Sequence, residues 1–334
     1  MVGQLLNAVA AVALALGVSA LYFVGVNMLL DKFLSAGADG TVSVRRERLR
    51  SNLRPWVFLG PALILLGLYL VYPVFATTWL SFMDDTGRQS VGLDNWERLF
   101  GDPQLLESLR NNFLWLLVVP ALSTAFGLLI AVLTDRIWWG GIAKSLIFLP
   151  MAISFVGASV IWGLVYDFNP GTESQQIGIL NAIVTGLGGE PRDWLQIPFW
   201  NNFFLMIVLV WIQTGFAMVI LGAALRGIPD ETLEAAEIDG AGPVTVFFRI
   251  MIPQIFGTIL VVWTTITILV LKVFDIVLTM TNGQFNTQVL ANFMYDQMFR
   301  ANDRGYASTV ALVIMIAVIP VMIYNIRRAN EEMR

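Results

Sequence analysis

Two groups of residues in this chain have types and spacing suited to chemistry. The first is Lys272 and Asp275, the charges inside an otherwise uncharged apolar run. Three residues apart, they would share one face of a helix and could pair, hold a polar ligand or relay a proton. The second is an acidic stretch, Asp230-Glu231-Thr232-Leu233-Glu234-Ala235-Ala236-Glu237-Ile238-Asp239-Gly240. Its carboxylates suit pairing with basic groups of another protein, and its alanine pair suits close approach. Asp84, Asp85, Glu173 and Asp193 are further carboxylates, but nothing about them forms a recognisable catalytic pair. The chain has no Cys and no His. Disulfides, thiolate nucleophiles, histidine bases and Cys/His zinc sites are therefore excluded.

The elements that hold these residues are legible in composition. Of 334 residues, 57% are hydrophobic and 13% charged, about half the charged share of a soluble domain. Such a chain cannot cover itself with charge and reads as a polytopic membrane protein. Twenty Lys+Arg against 24 Asp+Glu give a formal charge of −4, which argues against a nucleic-acid binder. Seven apolar runs are near the length of about 20 residues that crosses a bilayer. They are Leu5–Leu30, Trp56–Met83, Asn111–Thr134, Ser145–Tyr166, Phe199–Leu225, Phe256–Met280 and Gly305–Ile326. All are apolar nearly all round, so the expected fold is all-α.

Alternate connecting segments differ in basic charge. Lys32, Arg45, Arg46, Arg48, Arg50, Arg54, Arg136, Lys144, Arg226, Arg249, Arg327, Arg328 and Arg334 fall on one side. Arg88, Arg98, Arg110, Arg192, Arg300 and Arg304 fall on the other. Positive charge favours the cytoplasm, which puts the N-terminus outside and the C-terminus inside. No Lys or Arg precedes Lys32 and the first apolar run is long, so it reads as a retained helix rather than a signal peptide. Ser35–Ser43 reads as a small, polar linker. Gly178–Val184 is apolar but too short to cross; Trp194 and Trp200 suit it to lying flat at the interface.

In the loop between the fifth and sixth runs, Pro229 stops one helix and Asp230 is placed to N-cap a short one. Gly240 and Gly242-Pro243 end that helix. A second amphipathic piece follows, with Val246, Phe247, Ile250 and Met251 on its apolar side.

The spacing here carries a resemblance. Glu234-Ala235-Ala236, three residues, Gly240, nine residues, Ile250, one residue, then Ile252-Pro253 resembles the EAA loop of the permeases of binding-protein-dependent ABC importers. The family pattern usually ends in Leu-Pro. Further likenesses are Asn112-Phe113-Leu114-Trp115, Ile147-Phe148-Leu149-Pro150, Gly92-Leu93-Asp94-Asn95-Trp96, Gly178-Ile179-Leu180-Asn181 and Leu278-Thr279-Met280-Thr281-Asn282-Gly283. Several of these resemble the carbohydrate branch, the maltose-transport permease group, and within it the alpha-glucoside permeases.

The resemblance implies an inner-membrane helical bundle of the type I importer class. Its six-helix core would span residues 55–328, with an extra transmembrane helix at 1–34, a basic cytoplasmic linker at 35–54, the coupling loop at 226–255 and a tail at 329–334. Glu234, Ala235, Ala236, Asp239 and Gly240 would couple to a cytoplasmic ABC ATPase dimer. ATP and magnesium would reside there, because this chain has no Gly-x-x-x-x-Gly-Lys phosphate loop and no cofactor of its own. The other implied partners are a second, different permease chain, an external solute-binding protein, a sugar substrate and membrane lipid. The location would be a bacterial or archaeal cytoplasmic membrane. Trp211, Gln213 and Phe216, with Lys272 and Asp275, are the candidate substrate pathway; Thr214, Thr264, Thr265 and Thr267 are polar neighbours. The alternatives are an ion-coupled secondary transporter using Lys272 and Asp275, and a membrane enzyme using carboxylates.

Overall fold

The computed structural model describes residues 2–34, 44–135, 137–170 and 177–332. The linker Ser35–Ser43, Arg136, Glu173 and Arg334 lie outside these. Among the described residues the chain is helical, with no strand and one isolated bridge, Met83 to Ser90. Among the described residues six helices are long and apolar enough to cross a membrane, and a seventh crossing arises if a bent pair is one span.

The chain divides into two compact units, Met1–Ala76 and Thr77–Arg334. In the first, α1 (Val2–Leu34) packs on α2 (Val44–Leu66). The Tyr22 hydroxyl donates to the Val57 carbonyl at 2.8 Å, Phe23 stacks on Phe58, and Arg54 donates to the Asn27 side chain at 2.9 Å. Large apolar side chains of α1 from Leu6 to Leu29 are exposed, as a helix apolar all round requires when its surroundings are lipid. A π turn at Gly67–Val71 leads from α2 into α3 (Tyr72–Leu80).

In the second unit α5 (Pro103–Asp135) and α9 (Trp200–Arg226) form the centre. The most apolar window of α9 is 67% buried, more than any other span. Small residues bring the two helices together. A Cβ on Gly127 would collide with Ala217, and Gly222 faces Ala131. Without a hydrophobic drive between helices in lipid, such close backbone packing is what holds them. Gly215 does the same against α6 (Gly140–Phe148): a Cβ there would stand 2.7 Å from the Ile147 carbonyl oxygen.

Two expected spans are not continuous helices. The fourth breaks after a 3-10 turn at Leu149–Ala152, where Ile153 is extended, and resumes as α7 (Phe155–Val165) after a bend of 106°. Pro150 removes a backbone donor at this point, and Ser154 restarts the helix by accepting from the Gly157 amide at 3.1 Å. The sixth begins earlier than expected, running from α11 (Pro243–Val246) through a π turn into α12 (Ile252–Leu271). It then stops at Lys272 and resumes as α13 (Asp275–Met280). Lys272 and Asp275 therefore flank a break rather than sharing a helical face, and no ion pair joins them among the described residues.

At one end of the unit, side chains of α5 and α9 grip the loop between α13 and α14 (Leu290–Tyr295). Asn111 donates to the Asn286 and Gln288 carbonyls at 2.9 and 2.8 Å, and Asn201 to the Phe285 carbonyl at 2.6 Å. Asn112 accepts from the Leu290 amide, and Glu107 from the Gln288 amide. Asn282, Gly283, Phe285 and Asn286 all have positive φ; these bonds offset that cost. Nearby, Arg98 of α4 (Asp94–Gly101) pairs with Asp303 at 2.7 Å and lies over the ring of Tyr306. Tyr306, on α15 (Arg304–Glu332), donates to Asp102 at 2.7 Å. Asp84 turns the adjoining loop by accepting from the Arg88 and Gln89 amides, which hold its carboxyl below the ordinary value.

Gly127→Val should destabilise the protein by about 1–3 kcal/mol through overpacking. Gly163→Val, where a side chain meets open space, should cost little; thermal melting in detergent compares them. Asn111→Ala removes the donor to the buried Gln288 carbonyl, while the Asn286 carbonyl keeps Asn202; it should cost about 1–3 kcal/mol, read as earlier proteolysis within residues 281–289.

Candidate functional site

The acidic stretch forms α10 (Asp230–Ile238) at the opposite end of α9 from the asparagine cluster. Gly227 closes α9, and Ile228, only 7% exposed, inserts into the core. The expected N-cap at Asp230 is not formed. Pro229 holds the cap position with extended backbone and no side-chain bond, which makes Asp230 the first helical residue. Asp230 and Glu231 then favour the positive end of the helix by charge alone. The end of α10 follows the expectation. The Ala241 amide donates to the Ala236 carbonyl and the Gly240 amide to Glu237, a Schellman closure with Gly240 at φ +79°.

This geometry sorts the coupling candidates. Ala236 is buried and Leu233 packs on the core, fixing α10 against the bundle. Glu234, Ala235, Asp239 and Gly240 face outward. Ile238 is 86% exposed, and Val244 and Phe248 are also exposed. Val246, Phe247, Ile250 and Met251 turn inward, as the amphipathic pattern requires. The result is an apolar surface beside carboxylates, suited to another protein. Beneath it Asp135, Lys144 and Arg226 join α5, α6 and α9, with Asp135 at 3.0 Å from Lys144 and 3.6 Å from Arg226.

The pathway candidates lie in two places. Lys272 and Asp275 line a cavity of about 20 Å³ with Phe155, Leu209, Leu269, Val273, Phe274 and Ile276, room for about one water. The two helix breaks meet there, since Phe155 opens α7 and Lys272–Phe274 separate α12 from α13. Trp211, Gln213 and Phe216 do not line it. Trp211 packs edge-on to Trp162 at 5.9 Å, Gln213 is buried, and Phe216 packs on the core. Thr214, Thr264 and Thr265 donate to carbonyls of their own helices, the usual use of Thr in a span. The Thr267 hydroxyl is buried without a partner. Sequence reading missed Phe155 and Trp162. The signal available was Pro150 followed by Ser154-x-x-Gly157, a stop and a restart within one apolar run.

Comparison with known proteins gives concordant results. Residues 123–331 match the family described as binding-protein-dependent transport system inner membrane component. An alpha-glucoside transport system permease protein, AglF of Rhizobium meliloti, is 61% identical over 331 residues, 98% of each chain. An osmoprotective compounds uptake permease protein, GgtC of Synechocystis, is 51% identical over 83% of this chain and all of that one. A chain from a bacterial alginate ABC transporter, crystallised with an alginate pentasaccharide-bound periplasmic protein, superposes with a TM-score of 0.72. It covers 83% of this chain and 94% of that one at 18% identity, a likeness of fold. The family model falls on the part of the chain that holds α10, both helix breaks and the α5–α9 seam, and the chain belongs to the inner-membrane permease components of binding-protein-dependent transport systems.

Proposed function

We propose that this permease moves a sugar, an alpha-glucoside or related oligosaccharide, into the cytoplasm of a bacterium or archaeon. The observation that carries this is the 61% identity to an alpha-glucoside permease along nearly the whole of both chains. The N-terminus is outside and the C-terminus inside, which puts α10 in the cytoplasm. There Glu234, Ala235, Asp239 and Gly240 meet one subunit of an ABC ATPase dimer, and Ala236 holds the helix to the bundle. ATP and magnesium are bound by that partner, and this chain carries no catalytic residue. A second permease chain completes the pore, and an external solute-binding protein delivers the sugar.

The physical basis of coupling is the rigidity of α9 and its attachments. Movement of α10 is passed to α9 through Ile228 and Leu233, which share its core. Short α7 and α13 flank breaks, and broken helices are where spans reorient and backbone groups meet polar substrates. Lys272 and Asp275 stand at one of these breaks. A charge at membrane depth costs roughly 2.5–3.5 kcal/mol by insertion scales unless protein or water surrounds it, so both belong on the pathway side. Trp211, Gln213 and Phe216 lie apart from that cavity, packed within the bundle along α9.

Tagged wild-type chain, gently solubilised, should co-purify with an ATPase and a second permease. Gly240→Asp forces a side chain into a positive-φ position and should lose the ATPase while keeping the second permease. A wild-type chain that purifies alone and still transports in vesicles would overturn the importer reading. Lys272→Gln and Asp275→Asn should each lower labelled-glucoside uptake severalfold with ATPase retention unchanged. Abolition of uptake at every pH by Asp275→Asn alone, with no ATPase requirement, would indicate ion coupling instead.

A further inference from the structure

We infer that α8 (Ile179–Gly186) is a membrane-interface helix, seated on the boundary between lipid headgroups and acyl chains rather than on protein. Its position is fixed by one side chain. Asn181, fully buried, donates to the Asp167 carbonyl at 2.9 Å and to the Arg192 carbonyl at 3.0 Å, and accepts from the Arg192 amide at 3.0 Å. Gly178 lies so close to the Asp167 backbone that a Cβ would collide with it.

These two anchors set the level. Asp167 directly follows the end of α7, a half-span whose Val160, Ile161 and Leu164 are exposed and apolar. Arg192 leads through Trp194 to Phe199 and Trp200, exposed aromatics at the mouth of α9. Exposed aromatics at the end of a span mark the headgroup level. α8 is therefore tied to the ends of two spans at the depth where the bilayer meets water.

Its outward face suits that depth. Ile179, Ile183 and Leu187 recur at four-residue intervals opposite Asn181, and Ile177 adds to them. Leu187 is 85% exposed. No charged residue occurs from Ile177 to Gly189. This exposed apolar face, like the exposed Val160, Ile161 and Leu164 of α7, offers area to acyl chains and no charge for a protein partner to read. Eight residues, about 12 Å of helix, are too few to cross.

The natural absence of cysteine makes the test direct. Ile183→Cys in the full transporter, labelled with bimane and reconstituted, is exposed to phospholipids brominated near the carbonyl end of the acyl chains and separately to aqueous iodide. Brominated lipid should quench the label severalfold more than iodide, with Glu190→Cys showing the reverse. Leu187→Cys repeats the measurement should the first variant assemble poorly. Quenching by iodide with none by lipid would place α8 in water and overturn the inference. Quenching by neither would show the face covered by protein, such as a second permease, and would overturn it equally. The outcome does not depend on which sugar is carried.

Discussion

A backbone amide or carbonyl facing hydrocarbon has no water to bond to. Each place where this chain leaves helical geometry within a span must therefore be enclosed by its own neighbours. The break at Ile153–Ser154 is closed by the Ser154 cap and by α9, which presses on the preceding turn at Gly215. The break at Lys272–Phe274 is closed by α12's own terminal bonds, Lys272 to Leu269 and Val273 to Val270, and by Phe155 and Leu209 across a cavity of about one water. The two irregular segments face each other, so neither needs lipid to tolerate it.

The same economy explains why α9 is central. It is the most enclosed span, it meets α5 through glycine and alanine, and it carries different chemistry at its two ends. One end holds Asn201 and Asn202 against a loop of positive-φ residues. The other end turns at Gly227–Pro229 into α10, with Ile228 as the buried hinge contact. α9 is thus a rod fastened at both ends. The outer face of α10 is acidic and partly apolar, chemistry suited to contact with another protein.

Much of this was legible in residues alone. Apolar run lengths gave the membrane class and located six long apolar helices, with a bent pair where the remaining run falls, because hydrocarbon thickness fixes how many residues a helix needs. The Gly240 turn was readable because only glycine closes a helix cheaply at positive φ, and the structure shows that closure bond by bond. The inward side of the following piece, Val246, Phe247, Ile250 and Met251, followed from its spacing. The Asp230 cap did not form. Pro229 already occupies the cap position with extended backbone, which places Asp230 inside the first turn, where its side chain cannot serve as the N-cap.

What the sequence by itself determined was the solvent, the helical class and the chemistry of the exposed loop, since these depend on composition and short spacing. Tertiary structure decided where spans break and which polar residues meet. Lys272 and Asp275 look like neighbours on a helix until the chain stops between them, and no Gly or Pro there announces it. Asn111 and Asn201 lie 90 residues apart and meet on one loop nearly as distant again from Asn201. A break or a buried hydrogen bond is stable only when residues far along the chain close around it, and local pattern carries no information about those.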